Sequence, residues 1–170
     1  ADANLALARP LPPRHHNPGD RSLGKGATPF MRAAQAADVA MMRLLLAAGA
    51  DPLRRQENGT TALMIAVAGR GRTDDDGEAP AQKDPTGAVK LVIEAGSDVN
   101  AGDSDGNTAL HRAVTARNSP LVRLLIERGA NPMARNKRDQ TPLVLATVGR
   151  GGDAHQEILN LLKAAAGSER

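Results

Sequence analysis

The sequence predicts an all-α solenoid of helix-turn-helix units joined by β-turn or hairpin-like loops. Three observations carry that expectation. First, Thr28-Pro29-Phe30-Met31-Arg32-Ala33 returns in altered form as Thr61-Ala62-Leu63-Met64-Ile65-Ala66, Thr108-Ala109-Leu110-His111-Arg112-Ala113 and Thr141-Pro142-Leu143-Val144-Leu145-Ala146. Second, successive copies begin 33, 47 and 33 residues apart, a period of 33 kept through one insertion of 14. Self-similarity at such a period marks stacked units, none of which buries its apolar face alone. Third, 41% of residues are hydrophobic but only 1% aromatic, namely Phe30. A globule normally uses aromatics as large core fillers, whereas thin layers of Ala, Leu and Val do not need them.

The first residues, Ala1-Asp2-Ala3-Asn4, match Ala50-Asp51-Pro52, Ser97-Asp98-Val99-Asn100 and Ala130-Asn131-Pro132, each of which follows a Gly. They are expected to be the tail of an earlier unit, the chain being a piece of a longer array. From Ala50 to Thr61 is 11 residues, as from Ser97 to Thr108 and from Ala130 to Thr141, but from Ala1 to Thr28 is 27. The first loop thus carries 16 extra residues within 5–25. Pro10, Pro12, Pro13 and Pro18 lack backbone donors and disfavour helix and interior strand. Residues 1–26 therefore read as a unit's tail followed by a long Pro-rich surface loop.

The first complete unit spans 27–59. Thr28 suits an N-cap and Pro29 the first helical position, with an inner helix to about Ala36. Asp38 caps a second helix from Val39 to Ala48, whose Val39, Met42, Leu45 and Leu46 recur at helical spacing. Gly49 ends it. The second unit, 60–106, follows the Asn58-Gly59 turn and holds the 14 inserted residues within 69–85. That stretch is rich in Gly, Asp and Pro and reads as a flexible acidic loop. The third unit, 107–139, is the most regular. Asp105-Gly106 makes its turn, Pro120 opens its outer helix, Leu121, Leu124, Leu125 and Ile126 fill that helix, and Gly129 stops it. In the fourth unit, 140–167, Gly149 to Asp153 adds about four residues before an outer helix from Ala154 to Ala165. There Ile158, Leu159, Leu161 and Leu162 oppose Gln156, Glu157, Asn160 and Lys163, a polar face suited to a terminal cap.

The fourfold Thr-Pro/Ala-apolar-x-x-Ala phrase at this period resembles the T-P-L-H-x-A signature of the ankyrin repeat. The resemblance covers about residues 20–167, with a trace at 1–4. The insertions, and the absence of His from three of the four phrases, resemble the irregular arrays of some bacterial ankyrin proteins more than the regular arrays of animal scaffolds. The resemblance implies a non-enzymatic scaffold that binds a protein partner through a concave face of inner helices and turn tips. The corresponding turn-tip positions are Lys25, then Gln56, Glu57 and Asn58, then Ser104 and Asp105, then Lys137, Arg138 and Asp139. On the inner helices they are Arg32, Ile65, Arg112 and Leu145. His111 holds the family's His position, which implies a hydrogen bond to the backbone of a neighbouring repeat. The alternative is a regulatory or targeting module of a larger protein whose enzymatic domain lies outside this chain.

Nothing in the sequence assembles a catalytic, cofactor or small-molecule site. With no Cys, disulfides, thiolate metal sites and thiol catalysis are excluded. His15-His16 lacks the further ligands that a fixed metal site requires. Asp74-Asp75-Asp76-Gly77-Glu78 lacks the alternating ligand spacing of a calcium loop, and Asp103-Ser104-Asp105-Gly106 reads as a turn. Gly69-Arg70-Gly71-Arg72 lacks the Lys-Ser/Thr of a phosphate loop. No apolar run approaches the roughly 20 residues of a membrane span. The net charge is +3, and the pI near 9.8 reflects abundant Arg with no Tyr or Cys to titrate. Charge is uneven: four basic and nine acidic residues lie in 61–107, against seven and two in 108–140. Nucleic-acid binding is not expected, because no aromatics accompany these basic residues for base stacking.

Overall fold

Each inner helix begins at the threonine of its repeated phrase. The computed structural model describes residues 3–5, 23–69, 84–148 and 153–167. The inner helices are α1 (Pro29–Gln35), α3 (Ala62–Ala68), α5 (Ala109–Thr115) and α7 (Pro142–Val148). The hydroxyl oxygens of Thr28, Thr61 and Thr141 accept from the backbone N–H of Met31, Met64 and Val144 at 3.3, 3.3 and 3.1 Å. Each such cap satisfies an orphan helix-end donor and contributes about 1 kcal/mol. The outer helices are α2 (Val39–Ala47), α4 (Pro85–Glu94), α6 (Ser119–Glu127) and α8 (Asp153–Gly167). Asp38, Asp84 and Asn118 cap the first three, accepting from Met41, Gly87 and Leu121 at 2.9, 2.7 and 3.1 Å. Among the described residues the fold is all-α, as the resemblance to the ankyrin repeat implies.

The packing forms two units, Ala1–Ser97 and Asp98–Arg170. In the first, α1 packs on α2 and α3, while α4 packs on α3 and α2. In the second, α5 packs on α6 and α7, while α8 packs on α7 and α6. Helices of seven residues are too short to persist alone. They persist here because Phe30, Met31, Leu63, Met64, Ile65 and Leu110 are essentially inaccessible to solvent. Of the Pro-rich loop expected within 5–25, most lies outside the described residues. The loops at 70–83 and 149–152 lie wholly outside them.

The outer helices differ from the sequence expectation in detail. In α2 only Met42 is buried, Val39, Leu45 and Leu46 are half-buried, and Met41 and Leu44 are 46% and 64% exposed. In α6, Val122 joins Leu121, Leu124 and Leu125 in the core, and Ile126 is only half-buried. In α8, Ile158 and Leu162 are buried while Leu159 and Leu161 are half-buried. Between the inner and outer helices, Ala37 and Arg117 take positive φ values of 54° and 53° at equivalent places in the first and third repeats.

Successive turns within a unit are joined through their backbones. Glu57 N–H donates to the Lys25 carbonyl at 3.1 Å, and Lys137 N–H to the Asp105 carbonyl at 2.8 Å. Gly106, at φ +78°, lies against the next turn, and an added Cβ would stand 3.1 Å from Asn136 Cα. At the loops that end the outer helices, Asn100 makes a second link. Its amide donates to the Gly129 carbonyl at 2.9 Å and its carbonyl accepts from Asn131 N–H at 2.8 Å. Asn4 repeats that geometry on Gly49 and Asp51 at 3.0 and 2.7 Å.

His111 links the third and fourth repeats and is 1% exposed. Its Nδ1 accepts from Thr108 N–H at 3.1 Å, so the proton resides on Nε2, which donates to the Gln140 carbonyl at 3.0 Å. Both nitrogens are committed in the neutral form, and a second proton would confront the Thr108 N–H. Burial lowers the His111 pKa from the usual 6.5, against smaller upward effects of the Gln140 hydrogen bond and the Asp103 charge.

Three outcomes follow for the intact chain. The unfolded chain binds a proton at His111 more readily than the folded one. That contribution to stability is therefore complete above about pH 6.5 and is lost as pH falls through the lowered folded value. In denaturant titrations between about pH 7.5 and 5, His111→Gln flattens this dependence; an unaltered slope would remove His111 as its source. Gly106→Ala destabilises by about 1 kcal/mol more than Gly129→Ala, which has a similar φ of +83° but open space around an added Cβ. Equal losses in denaturation midpoint would contradict the close approach of the turns. Hydrogen exchange is faster in α2, which buries Met42 alone, than in α6, which buries four side chains; the reverse order would mean that burial does not govern protection here.

Candidate interaction surface

The turns owe their shape to short polar side chains that fold back on their own backbone. Asp103 Oδ1 accepts from Asp105 N–H at 3.0 Å and Asn107 N–H at 2.9 Å. Asn136 Oδ1 does the same for Arg138 and Gln140 N–H at 2.9 and 3.0 Å. Asn136 also donates its amide to Asn107 Oδ1 at 2.9 Å, tying one turn to the other. Each loop is closed across its base by a backbone pair, Asp103 N–H to Asn107 O and Asn136 N–H to Gln140 O, at 3.0 and 3.1 Å. These bonds push the residues between them outward, so Ser104, Asp105, Lys137 and Arg138 are exposed.

The first unit uses different residues for the same turn. Gln56 N–H pairs with the Thr60 carbonyl at 3.0 Å, and Arg55 and Thr61 form an isolated antiparallel bridge. Asn58 Oδ1 accepts from Thr60 N–H at 3.1 Å. Gln56 is 3% exposed, and its Oε1 accepts from Gly24 N–H at 3.1 Å. The expectation that Gln56 presents its side chain at a turn tip is corrected: it fastens one turn to the previous one. Ile65 is likewise inaccessible, and its inner-helix position belongs to the core. Glu57 and Asn58 are exposed, with Glu57 paired to Lys25 at 2.7 Å.

On the inner helices, Arg32 is exposed and Leu145 half-buried. Arg112 reaches the turn: its Nη2 donates to Asp103 Oδ2 at 2.9 Å, with side-chain exposures of 26% and 8%. Asp103 thus receives two backbone donors and a guanidinium, which fixes the direction of Arg112. Sequence reasoning took Asp103 as part of an ordinary turn. The available signal was an acid nine positions before an Arg, a spacing meaningful only once the turn folds back over the helix.

Charge on the outer side is also partly consumed. Arg123 on α6 donates to Glu157 on α8 at 2.8 Å. A hydrogen bond from Ser119, then the Arg123 contact, holds the Glu157 carboxyl below the usual carboxylate range. Glu157 therefore does not belong to the free polar face expected of α8; Gln156, Asn160 and Lys163 do, all exposed. Among the described residues no group of three or more His, Asp or Glu is placed to hold a metal ion. None of their helices is long and apolar enough to cross a membrane. His15-His16, Asp74 to Glu78 and Arg70 to Arg72 lie outside the described residues.

Two family models match this chain. One, described as ankyrin repeats in many copies, matches residues 92–146, and one described as ankyrin repeats in three copies matches residues 2–74. Among curated proteins, the chain is 33% identical over 151 residues to neurogenic locus notch homolog protein 1 of Xenopus tropicalis, covering 77% of this chain and 6% of that protein. It is 29% identical to the mitochondrial disaggregase of Bos taurus, over 79% of this chain and 22% of the relative. It is 35% identical over 68 residues to the human 2-5A-dependent ribonuclease, over 39% of this chain and 9% of the relative. The chain thus spans less than a quarter of the length of each of these relatives. With the repeated threonine caps, the paired short helices and the buried bridging histidine, these matches place the chain in the ankyrin-repeat family.

Proposed function

We propose that this chain is a non-enzymatic interaction module that binds a protein partner through its inner helices and turn tips. Ankyrin repeats are protein-interaction modules, and repeat folds offer extended concave surfaces for binding. One observation carries the assignment to this side: the turn-closing hydrogen bonds of Asp103 and Asn136 hold Ser104, Asp105, Lys137 and Arg138 outward on a fixed backbone. A preorganised surface loses less conformational entropy on binding than a loose one. The contact residues are Arg32, Glu57 and Asn58 in the first unit and Ser104, Asp105, Arg112, Lys137, Arg138 and Leu145 in the second, without the buried Gln56 and Ile65.

A second reading is supported by the relatives, two of which are named for a ribonuclease and a disaggregase and extend far beyond the matched region. In that reading the array targets or regulates an enzymatic domain carried elsewhere in a longer chain. Both readings place the contact on the same surface and differ in whether the partner is in another molecule.

Photocrosslinking tests the surface. A photoreactive residue at Arg32 or Ser104 should capture partner from a native extract, and one at the exposed outer-helix positions Arg43 or Lys163 should not. Equal capture from the outer helices would overturn the assignment. Arg112→Glu is a poor probe, because it would set two carboxylates against each other at Asp103.

A further inference from the structure

We infer that the second unit carries a docking site for an acidic peptide segment, formed by Lys137 and Arg138 with Arg112 beside them. The inference rests on the interaction reading above and specifies the partner's chemistry. It begins with which cations are already matched. Lys25 is paired with Glu57, Arg123 with Glu157, and Arg135 with Asp139. Arg112 is held by Asp103, which also accepts two backbone hydrogen bonds and so carries more donors than a single guanidinium supplies. Lys137 and Arg138 are adjacent, exposed, and form no ion pair with a described acid.

A continuous set of hydrogen bonds places these cations together. Arg112 is bonded to Asp103, Asp103 to Asp105 N–H, and the Asp105 carbonyl to Lys137 N–H at 2.8 Å. Arg138 follows directly and is fixed through its N–H to Asn136. The three side chains therefore issue from one turn, 136–140, and from α5, with the 103–107 turn bonded to both. The only acid within this set whose carboxylate has no Arg partner is Asp105, which is exposed at the tip. Asp139 is occupied by Arg135. An extended acidic segment crossing the two turns would meet Lys137 and Arg138 as fresh counter-charges and would be opposed by Asp105 alone. A protein segment is favoured over a nucleic acid because stacking on bases requires aromatics, and the single one, Phe30, is completely buried.

The opposed carboxylate gives the test a sign in each direction. Fluorescence anisotropy of the intact chain would be read against a labelled synthetic peptide of alternating Glu and Ser. Its Gln-for-Glu counterpart and a single-stranded DNA oligonucleotide serve as the other two probes. The acidic peptide should bind and the Gln peptide should not. Lys137→Glu with Arg138→Glu should weaken binding on the order of tenfold or more, Asp105→Asn should tighten it a few-fold, and added salt should weaken it. All three positions are exposed, and circular dichroism of each variant confirms folding. Failure of the peptide to bind, insensitivity to the double reversal, or tighter binding of DNA than of the peptide would each overturn the inference. Capture from Arg32 and Ser104 that survives the double reversal would overturn the acidic site and leave the interaction surface standing.

Discussion

The bond from one turn's backbone N–H to the preceding turn's carbonyl is the constraint on which the arrangement of the turns depends. It is short, involves no side chain, and demands that two turns approach closely. Once it forms, a Cβ at Gly106 would stand only 3.1 Å from Asn136 Cα, Asn136 falls within reach of Asn107, and Lys137 is carried to the edge of the Asp105 turn. The inner helices then have one orientation relative to their turns, and Arg112 can meet Asp103. Burial supplies most of the driving force for such a fold, but burial is not directional. The turn contacts and the side-chain caps fix the register.

The polar side chains divide into those that hold the scaffold and those left over. Thr28, Thr61, Thr141, Gln56 and His111 are all buried and bonded to backbone, and Thr108 is buried with its hydroxyl 2.9 Å from His111 Nδ1. No buried side-chain nitrogen or oxygen lacks a partner among the described residues, as expected when an unmatched buried polar atom costs about 1–3 kcal/mol. The ion pairs extend the division to charge. Arg112, Arg123 and Arg135 each meet a carboxylate within the second unit. Recognition in such a module follows from the residue of charge and shape that packing does not consume.

Features set by local chemistry were legible in the sequence: the threonine caps, the Asp38 cap, the glycine stops and the helix period. Each depends on residues within one turn of one another. Gln56 and Ile65 were not legible, because both sit at positions where exposure depends on what lies above them. Equivalent places hold Arg32 and Arg112, so the repeat pattern alone classed Ile65 with accessible residues. The Asn100 link to Gly129 spans 29 positions and required the stacked geometry to be visible. Glu157 was placed on a free face by helical spacing, yet Arg123 on the neighbouring helix reaches it. Periodicity gives the direction of a side chain and leaves its partner open.

The turn of the fourth repeat ends in Asp139, at φ +58°, where the third has Gly106. The same left-handed backbone is thus kept with a side chain attached. A Cβ at Gly106 would crowd the turn that follows it, standing 3.1 Å from Asn136 Cα. At Asp139 the same backbone carries a carboxylate that Arg135 holds. One left-handed turn residue thus serves two ends: bare, it lets the neighbouring turn come close, and with a side chain it anchors a guanidinium.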